Sequence, residues 1–164
     1  MNTLGDHIQE YQKQLNKGHI QKAYAGIMAF MSSVKSYLTD KYPEFSTSSL
    51  YFGYMDMTYF AFTPIHLKEK KLKIAIVFLH EACRFEAWLA GSNRKIQSEV
   101  INQLSEKNLG KYQLSSASPG IDSIIESVLV DKPDFDRPDA LRYQIEEKTI
   151  EFIEDMTLLV KQLP

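Results

Sequence analysis

Two runs of strand-forming residues stand close together in mid-chain, Leu72-Lys73-Ile74-Ala75-Ile76-Val77-Phe78-Leu79 and Arg84-Phe85-Glu86-Ala87-Trp88-Leu89. β-Branched and aromatic side chains at this density suit a pleated surface, and His80-Glu81-Ala82-Cys83 between them has the length of a hairpin turn. The period of two then assigns faces. In simple register Leu79 faces Arg84, Val77 faces Glu86 and Ala75 faces Trp88; on the other side Phe78 meets Phe85, Ile76 meets Ala87 and Ile74 meets Leu89. The second face is wholly apolar and reads as core. The first mixes apolar residues with an arginine, a carboxylate and an indole. A one-residue slip would exchange partners, yet the alternation along the second run would survive it.

The rest of the chain surrounds this hairpin with helices. Leu4, Ile8, Tyr11 and Leu15 recur at helical spacing, and Gly18 after Lys17 is a C-terminal cap signal. Ile20, Ala23, Tyr24, Ile27, Met28, Met31, Val34 and Leu38 form a second stripe, wide enough to pack on a sheet and stopped by Pro43. From Ser49 to Phe62 the density of Tyr, Phe, Met and Thr predicts another strand, in which Gly53 marks a bulge or a close backbone approach. Thr63 to Lys71 reads as a polar loop. Gly91-Ser92-Asn93 caps a helix carrying Ile96, Val100, Ile101 and Leu104. After Gly110 a serine-rich stretch ends in the turn signal Pro119-Gly120, and Ile121 to Val130 leans towards a strand. Asp136 is the expected cap of a last helix with Pro138 in its first turn and Leu141, Ile145, Phe152, Ile153, Met156, Leu159, Val160 and Leu163 on its buried stripe. The expected fold is therefore α+β, an antiparallel sheet of about four strands with an N-terminal helical hairpin and further helices packed on it, in the order α-α-β-β-β-α-β-α.

Composition narrows the function. At 164 residues, 44% of them hydrophobic, the chain is expected to form one domain, residues 1–164, with a sizeable core. Cys83 is the single cysteine, which excludes an internal disulfide framework and suits a reducing cytoplasm. The start lacks the basic and apolar regions of a signal peptide, and Ile74 to Leu79 is far too short to span a membrane. Residues 1–120 carry 14 Lys/Arg against 10 Asp/Glu, and residues 121–164 carry 5 against 11. An acidic C-terminal face on a mildly basic body lacks the broad basic footprint of a nucleic-acid binder.

The mixed hairpin face is the main candidate site. As the floor of a pocket, Arg84 would hold an anionic group, Trp88 would stack, and Glu86 would orient Arg84 or accept a ligand proton; Tyr54, Asp56 and Tyr59 join if the register allows. The plainer alternative is a solvent-facing sheet side with an Arg84–Glu86 ion pair beside a half-exposed Trp, since mixed outer faces are normal in antiparallel sheets. Ser92, Asn93, Arg94 and Lys95 sit where a strand gives way to a helix. Two cations in a first turn run against the macrodipole, which an anion bound there would reconcile. No further glycines and no Gly-Lys-Ser/Thr pattern follow, so this is not a P-loop, and no cofactor is indicated. His80 and Cys83, with His66 uncertainly placed, fall short of the four ligands of a closed zinc site, and no metal is expected. Cys83 as a nucleophile with His80 as base is weighed and set aside, because proximity in a turn says little about geometry. Asp56, Glu81 and Glu86 have the chemistry of a magnesium-dependent hydrolase or nuclease, but a lysine two residues after the second acid is missing.

The stretch Ser49-Leu50-Tyr51-Phe52-Gly53-Tyr54-Met55-Asp56-Met57-Thr58, with Arg84-Phe85-Glu86-Ala87-Trp88-Leu89-Ala90-Gly91 and Asn93-Arg94, resembles a family of small bacterial proteins known as a domain of unknown function. The likeness covers nearly the whole chain and implies no activity. The expectation is non-catalytic binding of a small anionic or aromatic ligand on the Arg84–Glu86–Trp88 face. The alternatives are a homodimer or protein partner docked on that face or a sheet edge, and the acid-dependent enzyme.

Overall fold

The computed structural model describes residues 2–115 and 122–164; the expected turn at Pro119-Gly120 and the start of the 121–130 segment at Ile121 lie outside them. Five helices and five strands alternate as α1 (Leu4–Lys17), α2 (His19–Lys41), β1 (Ser46–Thr47), β2 (Met57–Thr63), α3 (Ile65–Glu69), β3 (Leu72–Leu79), β4 (Arg84–Gly91), α4 (Arg94–Leu104), β5 (Ser123–Val130) and α5 (Pro138–Lys161) among the described residues. The strands form one antiparallel sheet in sequential order, β1-β2-β3-β4-β5. Short connections explain the meander from β1 to β4, each strand pairing with the next as it is laid down, whereas β5 joins β4 after a long connection that carries α4.

The hairpin register is the one that parity predicts: Leu79 opposite Arg84, Val77 opposite Glu86, Ala75 opposite Trp88. Phe60, Phe62, Ile74, Ile76, Phe78, Phe85, Ala87 and Leu89 turn to the other side, where they pack with Phe30, Met31, Val34 and Leu38 of α2 and Phe152, Ile153 and Met156 of α5. Complete burial of each such side chain contributes roughly 1.5–3 kcal/mol, so this helix-covered face carries most of the stability.

Local chemistry explains the helix ends. Thr3 and Asp6 form a reciprocal capping box at the start of α1, and Gly18, at φ 82°, ends it with its N–H on the Leu15 carbonyl. Asn93 caps α4 through its side chain on the Ile96 amide. Pro138 opens α5, but the cap position belongs to Arg137 and not to Asp136, and no side chain closes it. The proline ring fixes the first helical φ and needs no donor, so the helix can begin without a polar cap. The helical hairpin is present, but α1 buries none of its residues, and Leu4, Ile8 and Tyr11 are exposed.

Two further expectations are corrected. The first long strand is Met57–Thr63 and not Ser49–Phe62; residues 49–56 are a loop that meets it in an isolated β-bridge, Tyr51 to Tyr59. Within the expected 63–71 loop, Ile65–Glu69 forms a short helix that buries Leu67. Among the described residues no helix is long and apolar enough to cross a membrane.

Candidate ligand pocket on the second sheet face

The side of the sheet turned away from the helices carries Met57 and Tyr59 of β2, Ala75, Val77 and Leu79 of β3, and Arg84, Glu86 and Trp88 of β4. Ala75, Val77 and Trp88 are buried in a small cluster with Met57, Tyr59 and Leu79, and none of these residues is helical. Glu86 is 3% exposed. It accepts a hydrogen bond from Arg84 Nε at 2.6 Å and one from Trp88 Nε1 at 2.8 Å. Both donors sit two residues away on the same strand, where the pleat brings i−2 and i+2 to one face. A carboxylate this far from water needs such partners. The pairing has a cost for the anionic-ligand reading: the Arg84 charge is already compensated by Glu86.

A pocket of about 280 Å³ opens beside this cluster, with Ala75, Val77, Ala90 and Trp88 at its base and Tyr51, Asp56, Tyr59, Lys73 and Asp122 around it. The 49–56 loop supplies its rim. Tyr51 exchanges both backbone hydrogen bonds with Tyr59, at 2.8 and 3.0 Å, and their rings lie 5.0 Å apart. Gly53 then reverses the chain at φ 77°, and a Cβ there would lie 1.9 Å from the Met57 carbonyl oxygen. The Tyr54 amide donates to Asp56 Oδ1 at 2.9 Å. Backbone amides, those of Tyr54 and Met57 foremost, hold the Asp56 carboxyl below its usual range, so it stands ionised at the mouth. The loop end is tied to the hairpin turn: the His80 amide donates to the Asp56 carbonyl at 3.0 Å. Thr58 Oγ1 donates to the Phe52 carbonyl at 2.7 Å, which makes His80 Nε2, 2.8 Å from that hydroxyl, the donor to it. Burial lowers the His80 pKa, with Asp56 pulling the other way.

This loop geometry gives a direct expectation. Gly53→Ala should lower stability by about 1–3 kcal/mol, the usual range for a residue forced into a sparsely populated backbone region, and should release the Tyr51 rim. Urea unfolding with far-UV circular dichroism reads the first effect. A variant as stable as the parent would contradict the pinned loop.

The expected site residues therefore separate. Trp88, Tyr59 and Asp56 line one pocket; Arg84 and Glu86 share its sheet face but not its lining. Tyr54 is 88% exposed and lies outside it. Sequence reasoning missed Tyr51, Lys73 and Asp122. Lys73 was accessible, because it shares the parity of Ala75 and Val77. Tyr51 and Asp122 arrive through a loop and through the register of β5, which no local pattern encodes. At the α4 start, the Asn93 side chain takes the Ile96 amide and the Ser92 amide donates to the Lys71 carbonyl, so donors an anion would need are engaged. Ser92, Asn93, Arg94 and Lys95 are all exposed there. Asp56, Glu81 and Glu86 sit in three different surroundings: the loop, the exposed hairpin turn and the buried strand face. Among the described residues no group of three His, Cys, Asp or Glu side chains is placed to hold a metal ion. Cys83 is exposed in the turn at φ 52°.

A family model described as Domain of unknown function (DUF7000) matches residues 4–160, and the chain belongs to that family. No curated protein and no solved structure matches the chain.

Proposed function

We propose that this member of the DUF7000 family binds a small molecule, without catalysing a reaction, in the pocket beside Trp88. The observation that carries the reading is the state of the second sheet face. Among the described residues no helix covers it, yet Ala75, Val77 and Trp88 are buried there beside an aromatic rim, at the base of a pocket of about 280 Å³. An apolar sheet face normally needs a covering layer. A pinned loop and a cavity in place of that layer is the arrangement of a preformed, mostly apolar site with a few polar groups at its edge. The setting we assign is the cytoplasm, on the strength of the single, exposed Cys83.

A thermal-shift panel of nucleotides, organic acids, amines and aromatic metabolites tests the reading. A ligand at about a hundred times its dissociation constant adds about 2.7 kcal/mol, and hence roughly 5–10 °C in a chain of this size. The shift should shrink or vanish in a Trp88→Phe variant that remains folded. A flat panel overturns the reading. If the mass of the protein were concentration-dependent as well, the second reading would gain: Tyr51, Phe52, Tyr54 and Met55 expose apolar surface beside the pocket mouth, as a self-association face would.

A further inference from the structure

We propose that the ligand of this pocket is a small organic cation, an ammonium compound held against the Tyr51, Tyr59 and Trp88 rings between Asp56 and Asp122. The inference rests on the pocket reading and goes beyond it by fixing the charge of the ligand.

Three observations converge. Among the described residues the lining holds two carboxylates, Asp56 and Asp122, against one lysine, Lys73. Arg84, which lies on the same sheet face, is paired with Glu86. An anion entering here meets net negative charge and no uncommitted guanidinium.

The aromatic groups select in the same direction. The Trp88 N–H donates to Glu86, so the indole offers the cavity carbon surface and no polar donor. Tyr51 and Tyr59 stand side by side at 5.0 Å and 38°. Aromatic faces carry negative potential and attract cations, most strongly where water is displaced. The Tyr59 phenol is pushed above its usual range by burial, and further by Tyr51 and Asp122, so the field of Asp122 reaches the ring. Lys73 opposes a bare cation and is the residue whose removal should tighten binding.

Three probes with one ring and three charges decide the matter: benzylammonium, benzoate and benzyl alcohol, titrated at constant ionic strength into the intact protein. Trp88 is the only tryptophan of the chain, so its emission reports the pocket alone. Benzylammonium should give a saturable change and the other two should not. Asp122→Asn should weaken it roughly fivefold to tenfold, and Lys73→Gln should tighten it by a similar factor, with unchanged circular dichroism in both. Saturation by benzoate or benzyl alcohol in place of benzylammonium overturns the charge assignment and leaves the pocket standing. No saturation by any of the three, joined to a flat thermal-shift panel, removes both.

Discussion

Trp88→Ala should lower the stability of the folded chain by about 3–5 kcal/mol, the range for truncating a buried large aromatic. The side chain is 9% exposed and fills the space between Ala75, Val77 and Tyr59. Its loss removes packing and also takes one of the two donors from a carboxylate that is itself nearly buried, Glu86. Leaving a buried acceptor short of a partner adds to the cavity term. Trp88→Phe separates the contributions: it keeps most of the packing, removes the donor, and should cost about 1–2 kcal/mol. Urea unfolding followed by far-UV circular dichroism gives both values. A Trp88→Ala cost below about 1 kcal/mol would mean that the indole stands at an open surface, and the pocket floor would be lost from the account.

The second large effect lies on the opposite side of the sheet. Glu146→Ala should cost about 2–4 kcal/mol, because one carboxylate on α5 gathers three donors from α2 and its end. Glu146 is 5% exposed. It accepts from Tyr37 Oη at 3.0 Å and Tyr42 Oη at 2.8 Å, and pairs with Lys41 Nζ at 2.7 Å. Burial alone would raise its pKa, but the bonds from Lys41, Tyr42 and Tyr37 together outweigh it and hold the carboxyl below its usual value. Tyr42 is correspondingly pushed up to about 12, by burial first and then by the carboxylate. A carboxyl depressed in the folded state binds fewer protons there than in the unfolded chain. Its contribution is therefore complete above the ordinary glutamate pKa and is lost as the pH falls through the folded value. Wild type should lose stability on acidification more steeply than Glu146→Ala, whose unfolding midpoint has one titration fewer. Parallel pH profiles for the two would contradict the clamp.

These two residues also show where the sequence is legible. The register between Leu72–Leu79 and the expected strand Arg84–Leu89 could be read to the residue, because a period of two and a short turn leave one sensible register, although the second strand runs on to Gly91. Gly18, Asn93 and Pro138 announced helix boundaries through backbone constraints that act locally. The 49–62 stretch misled because Tyr, Met and Thr favour strands on composition alone, while its geometry is dictated by Gly53 at positive φ and by Asp56 capping its own turn. Glu146 escaped notice for a different reason. Nothing local marks one glutamate on an acidic helix as buried; its partners lie more than a hundred residues away, on α2 and at its C-terminal end. The pocket divides in the same way. Trp88 was legible from strand parity, and Tyr59 and Asp56 were named for their chemistry with their register left open, whereas Tyr51 and Asp122 depend on the path of a loop and on the register of β5. Arg84 and Glu86 were foreseen both as an ion pair and as ligand contacts, and the geometry displays the pair.

The indole of Trp88 offers the most direct test of the central claim. It is the only tryptophan, and its N–H is fixed on Glu86 at the edge of the pocket, so a ¹⁵N-labelled sample should show one indole cross-peak with slow hydrogen exchange. Titration with benzylammonium should move that peak along a saturable curve, together with the backbone amides of Tyr51, Tyr59 and Lys73, while the amides of α5 stay still. An indole peak that exchanges rapidly with solvent, and that no member of the ligand panel displaces, would show that this face holds no binding pocket.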